Sequence, residues 1–141
     1  MFSSTHPFLL SKEIGKLMKK EKSGVIINIT SINSELGFPD NPAYSAFKGA
    51  LKQLTKSLAL DLGKFGIRVN NVGPGYFRTQ MTKKSWENSK LRKERTDRTI
   101  LKRWGVPKDL AGIIIFLSSD SSSYVTGQDF YIDGGWLAKG L

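Results

Sequence analysis

The sequence predicts an α/β fold with parallel strands, and three observations carry that prediction. Apolar residues at helical spacing alternate with short β-branched runs in the order helix, strand, helix, strand, helix, strand. No internal repeat or low-complexity tract interrupts the order. Glycine and proline fall between the periodic segments as punctuation. Alternation of this kind implies right-handed crossovers with helices on both faces of the sheet. In such sheets a ligand sits beyond the carboxyl ends of the strands, which here are Thr30, Ser31, Gly73, Pro74 and Gly75.

Residues 8 to 20 place Leu9, Leu10, Ile14, Leu17 and Met18 on one helical stripe. "KSGVIINITS" follows as a turn and a nearly continuous apolar run, which reads as a strand buried on both faces. "INSELGFPDNP" is a loop of turn formers. From 43 to about 62, Phe47, Leu51, Leu54, Leu58 and Leu62 recur at three and four, so a long core-facing helix is expected. A strand near 67 to 72 stops at Pro74 and Gly75. A polar, charged helix is expected over 83 to 98, and another begins near Pro107 with Leu110, Ile113, Ile114 and Leu117 inward. "GQDFYIDGG" reads as the last strand.

With 141 residues, 39% hydrophobic and 11% aromatic, the chain can build one domain with a core. It has no cysteine and a single histidine, His6, so disulfides and the usual zinc or iron–sulfur sites lack ligands. No segment approaches the ~20 apolar residues of a membrane span, and the start is too short for a signal peptide, so a cytoplasmic location without membrane contact is expected. The net charge of +10 gathers in residues 12 to 22 and 83 to 103, where acidic and polar residues are interleaved, as on solvated helix faces. No helix-turn-helix, finger or aromatic-studded sheet accompanies the charge, so nucleic acid is not the expected partner.

"AYSAFKGA" sets Tyr44 and Lys48 four residues apart at the start of the long helix. Positions i and i+4 share a face, so both side chains can meet one substrate. A phenol is nearly all protonated at neutral pH, and an ammonium beside it favours the phenolate, which makes such a tyrosine able to donate or take a proton. Ser31, at the end of the first strand, could hold the oxygen whose proton moves. The chemistry this suits is the interconversion of an alcohol and a carbonyl. The competing reading is a half-buried core aromatic with a lysine reaching into solvent.

"GVIINITS", then "YSAFK" thirteen residues after the serine, "IRVNNVGPGYFRT" and "YVTGQDFYIDGG" occur in the order and spacing of the short-chain dehydrogenase/reductase family, which the chain resembles over nearly all its length. The stretch from "RWGVPKDLAG" to "DGGWLA" is most similar to gluconate 5-dehydrogenase-like members, and reductases of 3-oxoacyl carrier-protein substrates have related endings. The resemblance implies that Ser31 orients the substrate oxygen and Tyr44 transfers its proton. Lys48 would favour the phenolate and bind the nicotinamide ribose. Pro74, Gly75, Thr79 and the backbone at Phe77 would line the nicotinamide. Pro-Gly also simply ends a strand, and Thr79 could cap the next helix.

The family's glycine-rich turn for the pyrophosphate is not found before residue 24, nor is its Asn-Ala-Gly turn or the residue that selects NAD or NADP. Ser3 stands where the family has a fourth catalytic residue, an asparagine. The expectation is therefore a single partial domain over 1–141: the C-terminal half of a Rossmann-like doubly wound parallel sheet, about three strands with flanking helices. The open edge of "VIINIT" should invite pairing with another chain. An oxidoreductase using NAD or NADP on a sugar acid, polyol or similar small substrate, with cofactor binding by this chain alone in doubt and turnover impaired, is one reading. A non-catalytic remnant or self-associating module is the other, and homo-oligomers are expected of both.

Overall fold

The computed structural model describes residues 5–139. Its centre is a three-stranded parallel sheet in the order β1-β2-β3, formed by β1 (Gly24–Ile29), β2 (Ile67–Pro74) and β3 (Asp129–Ile132). The helices are α1 (Thr5–Glu21), α2 (Pro42–Gly63), α3 (Lys83–Glu87), α4 (Ser89–Arg98) and α5 (Ala111–Ser118). The sheet is α/β with helices at its faces, as the alternating pattern predicts. Ser3 lies outside the described residues.

Strand β2 explains the layering, because its alternate residues serve opposite faces. Ile67 and Val69 are buried against Leu58, Ala59 and Leu62 of α2, with Met18 of α1 packed on the same cluster. Each such buried aliphatic side chain contributes about 1.5–3 kcal/mol. Arg68, one residue out of phase, sends its guanidinium to the other face. It donates to the carbonyls of Leu117 (3.0 Å) and Ser119 (3.1 Å) and to Ser122 Oγ (2.8 Å). These acceptors lie at the C-terminal end of α5, where carbonyls lack helical partners and a cation is favoured.

A polar chain runs through the α2 side of the core, which the hydrophobic pattern did not reveal. Asn28 Nδ2 donates to Thr55 Oγ1 (2.7 Å), which donates to Asn71 Oδ1 (2.7 Å), and Asn71 Nδ2 donates to Asp129 Oδ1 (2.7 Å). All three strands are thereby tied through α2. Thr55 and Asn71 are fully buried, so the alternative to these bonds is unsatisfied polar groups rather than water. Thr55→Val keeps the shape and removes the hydroxyl; urea unfolding should record a loss of about 1–3 kcal/mol, whereas an unchanged midpoint would show that the chain of bonds is dispensable.

Two elements depart from the sequence pattern. The charged segment expected as one helix over 83–98 is broken at Asn88, whose extended backbone (ψ 112°) ends α3 and whose side chain accepts from the Leu91 N–H at 3.0 Å to start α4. Asparagine's preference for such caps outweighs the continuous polarity around it. Strand β1, expected to be buried on both faces, is only half-buried along most of its length, and Ile29 is 45% exposed. Among the described residues its backbone pairs on one edge only, with β2. Beside it an apolar groove of about 780 Å³ is lined by Leu10, Ile14, Ile27, Ile29, Phe47 and Leu51.

Candidate active site

The parallel register brings the three strand ends to one side of the sheet: Ile29 is level with Val72, and Pro74 with Ile132. Beyond β1 the chain makes a short 3-10 turn (Ile32–Ser34) and then enters α2 behind Pro42, whose fixed φ and missing N–H suit a first helical turn. Tyr44 and Lys48 thus stand on the opening turns of α2, at the carboxyl end of β1.

Lys48 turns back onto the fold rather than reaching into solvent. Its Nζ donates to the carbonyl oxygen of Ile29 at 2.7 Å and lies 5.6 Å from the centre of the Tyr44 ring and 5.2 Å from that of Phe47. The side chain is half-buried, not extended into solvent, and burial pushes its ammonium pKa down. Among the described residues no carboxylate pairs with it. One of three ammonium protons is used on Ile29, so donor capacity remains beside a phenol, which suits a ligand carrying hydroxyl acceptors.

Ser31 is buried and caps the 3-10 turn. Its Oγ accepts from the Asn33 N–H and donates to Asn33 Oδ1, both at 3.2 Å. Asn33 Nδ2 in turn donates to Ser45 Oγ at 3.2 Å, linking the serine's turn to the residue after Tyr44. Ser31's turn is thus linked to the first turns of α2 at Ser45, and the Lys48 ammonium stands against the Tyr44 ring. Thr30 Oγ1, next to Ser31, is buried without a hydrogen-bond partner among the described residues.

The second predicted segment is more divided. Pro74 ends β2, and the Gly75 N–H donates to Ile132 O at 3.0 Å. A Cβ on Gly75 would stand 2.8 Å from Asp133 Cα, so packing of two backbones alone requires glycine there. Phe77 turns its side chain into the fold, buried against Gly105, with which it forms a β-bridge. Thr79 is exposed, and its N–H is held by Thr82 Oγ1 at 3.1 Å. Thr82, not Thr79, occupies the cap position of α3.

Reading the motifs alone passed over the residues that hold Ser31's turn from below. Ser34 Oγ donates to the Ser31 carbonyl at 2.5 Å and lies 3.1 Å from Tyr131 Oη, which donates to Glu35 Oε1 at 2.5 Å. Glu35 also pairs with Lys52 of α2, and its carboxyl is held below the usual range by Lys52 and Tyr131. Burial, then the bond to Glu35, pushes the Tyr131 phenol up, so it stays a donor. Tyr131 reaches this turn from β3 across Gly73, where a Cβ would meet its ring at 2.4 Å. The sequence signal was a tyrosine on β3 in register with a glycine on β2.

A family model described as enoyl-(acyl carrier protein) reductase matches residues 2–137. The chain belongs to the short-chain dehydrogenase/reductase family. Among its relatives, a 2-dehydro-3-deoxy-D-gluconate 5-dehydrogenase of Formosa agariphila is 45% identical over 133 residues, which are 94% of this chain and 50% of that protein. A 5-keto-D-gluconate 5-reductase of Escherichia coli is 41% identical over 135 residues, 96% of this chain and 53% of that protein. The solved gluconate 5-dehydrogenase of Burkholderia cenocepacia, in complex with NADP and tartrate, superposes with a TM-score of 0.92 at 35% identity, over 94% of this chain and 52% of that one. This short-chain dehydrogenase/reductase chain spans about half the length of the curated relatives it matches. Among its described residues no helix is long and apolar enough to cross a membrane.

Proposed function

We propose that Ser31, Tyr44 and Lys48 form the proton-transfer centre of an oxidoreductase that interconverts a hydroxyl and a keto group on a sugar acid, polyol or similar small substrate, with NAD or NADP as hydride partner. The nicotinamide ring supplies the hydride acceptor or donor when bound. Ser31 Oγ holds the reacting substrate oxygen, giving up its 3.2 Å bond to Asn33 Oδ1 to do so. Tyr44 Oη gives or takes the proton. Lys48 stands beside that phenol and would hold the nicotinamide ribose with the ammonium protons not used on Ile29. Pro74, Gly75, Thr79 and the Phe77 backbone line the nicotinamide.

The observation that carries this reading is the placement of Lys48: a half-buried ammonium with no carboxylate partner among the described residues, anchored 2.7 Å from Ile29 O at the carboxyl end of β1 and 5.6 Å from the Tyr44 ring. The substrate class rests on the relatives, whose names carry gluconate derivatives. The 141 residues contain no glycine-rich turn for the pyrophosphate, so the chain by itself holds cofactor weakly and turns over NAD with gluconate slowly or not at all. A homo-oligomer in the cytoplasm is part of the same proposal.

A self-associating module without catalysis is the second reading, favoured by the open edge of β1 and the apolar groove beside it. Calorimetric titration with millimolar NAD and NADP separates the two. Saturable binding that weakens in Lys48→Met is the result expected of the oxidoreductase. Flat heats with both cofactors favour the module.

A further inference from the structure

A second concavity, of about 690 Å³, opens between α4, the segment after β2 and the loop at 102–106, with none of Ser31, Tyr44 and Lys48 in its lining. Its lining includes Arg78, Arg92, Lys93, Lys102 and Arg103 around Trp86, and no carboxylate. Cations gathered around one hollow repel each other unless something neutralises them. Lys93 is paired with Asp97 (2.5 Å), Arg103 with Asp109 through two bonds (2.7 and 2.9 Å), and Lys102 Nζ donates to the Asp97 carbonyl at 2.6 Å. Arg78 and Arg92 have no carboxylate partner among the described residues. Both lie on the indole of half-buried Trp86, with guanidinium carbons 4.1 and 5.3 Å from the ring centre. Arg92 adds one long bond to the Trp86 carbonyl, at 3.4 Å.

Stacking on an aromatic ring uses the flat face of a guanidinium and leaves its in-plane N–H groups free to meet acceptors. Two such forks, held on one ring beside a hollow within the size range of small-ligand pockets, suit an oxyanion. The charged segment over 83–103, expected to be a solvated helix face, instead folds its Arg92 onto Trp86, and Arg78 from the segment before it reaches the same ring. We infer that this concavity binds a small oxyanion, a carboxylate or a phosphate, between Arg78 and Arg92 against Trp86. The site goes beyond the hydride chemistry and does not depend on it.

The test reads the Trp86 indole N–H by nuclear magnetic resonance, assigned by its loss in Trp86→Phe, during titration at constant ionic strength with sodium gluconate, inorganic phosphate or neutral sorbitol. A saturable shift with an anion and none with sorbitol is expected. Response to gluconate alone identifies a carboxylate site, and response to phosphate identifies a general oxyanion site. Arg78→Gln with Arg92→Gln should weaken binding by about ten-fold or more, since each removes charge-assisted bonds. Neither side chain is in the core, and unshifted resonances elsewhere confirm an intact fold. The inference is overturned if neither anion gives a saturable shift, if sorbitol matches them, or if the double variant binds like the parent. No cofactor enters the experiment, so its failure would leave the hydride reading standing.

Discussion

Tyr44→Phe is expected to lower the rate of hydride transfer by about 10²- to 10⁴-fold, the contribution of a positioned proton donor. The substitution removes one oxygen and keeps the ring that lies 5.6 Å from the Lys48 ammonium, so the opening turns of α2 stay packed. Single turnovers at high chain concentration, with NADPH and 5-keto-D-gluconate, measure the chemical step without requiring tight cofactor binding. Lys48→Met should act on two steps at once, weakening cofactor capture as well as the chemistry, because the ammonium is assigned to both. A Tyr44→Phe chain that keeps most of the parent's single-turnover rate would remove the phenol from the mechanism.

The second large effect is structural and reaches the site from beneath. Gly73→Ala would put a Cβ 2.4 and 2.5 Å from two Tyr131 ring carbons and 3.2 Å from Thr30 Oγ1. The ring cannot stay, and its bonds to Glu35 and Ser34 go with it. Overpacking and the lost hydrogen bonds together should cost about 3 kcal/mol or more, read as a fall in the urea midpoint. If the clash with Tyr131 is the cause, most of that cost should vanish in a Tyr131→Ala background, where the two effects cannot add. A cost unchanged by the second substitution would mean that β2 itself rejects the side chain.

The alternating pattern made the architecture legible because each element carries one clear period. The apolar residues of α2, from Leu51 to Leu62, recur at helical spacing, and Leu58 and Leu62 pack on Ile67 and Val69 of β2. What the pattern could not give was anything set by pairing across the chain. Asn28, Thr55 and Asn71 read as polar interruptions until the fold joins them in one buried chain of hydrogen bonds. The burial expected of β1 came from its composition, but burial also needs cover, and Ile29 remains exposed at an edge with no second strand among the described residues. In the charged segment over 83–98, composition hid the break at Asn88, because a capping side chain acts through one hydrogen bond rather than through periodicity.

The candidate site was legible in the same uneven way. The spacing of Tyr44 and Lys48 on a helix and the position of Ser31 at a strand end are local properties of the sequence. The role of Gly75 is also local, although the structure supplies its cause, the approach of Asp133. Tyr131 and Glu35 support Ser31's turn from 96 positions apart in sequence, and no motif links them. Arg78 and Arg92 were visible only as charge, because their stacking on Trp86 depends on how the segment after β2 folds back on α4.

Saturation-transfer difference NMR of NADH with the 141-residue chain tests the central claim most directly, since it reads which end of a weakly held cofactor touches protein. The expected result is strong transfer to the nicotinamide and its ribose, little to the adenine, and loss of the nicotinamide signal in Lys48→Met. Transfer confined to the adenine, or a nicotinamide signal that Lys48→Met leaves unchanged, would contradict the account.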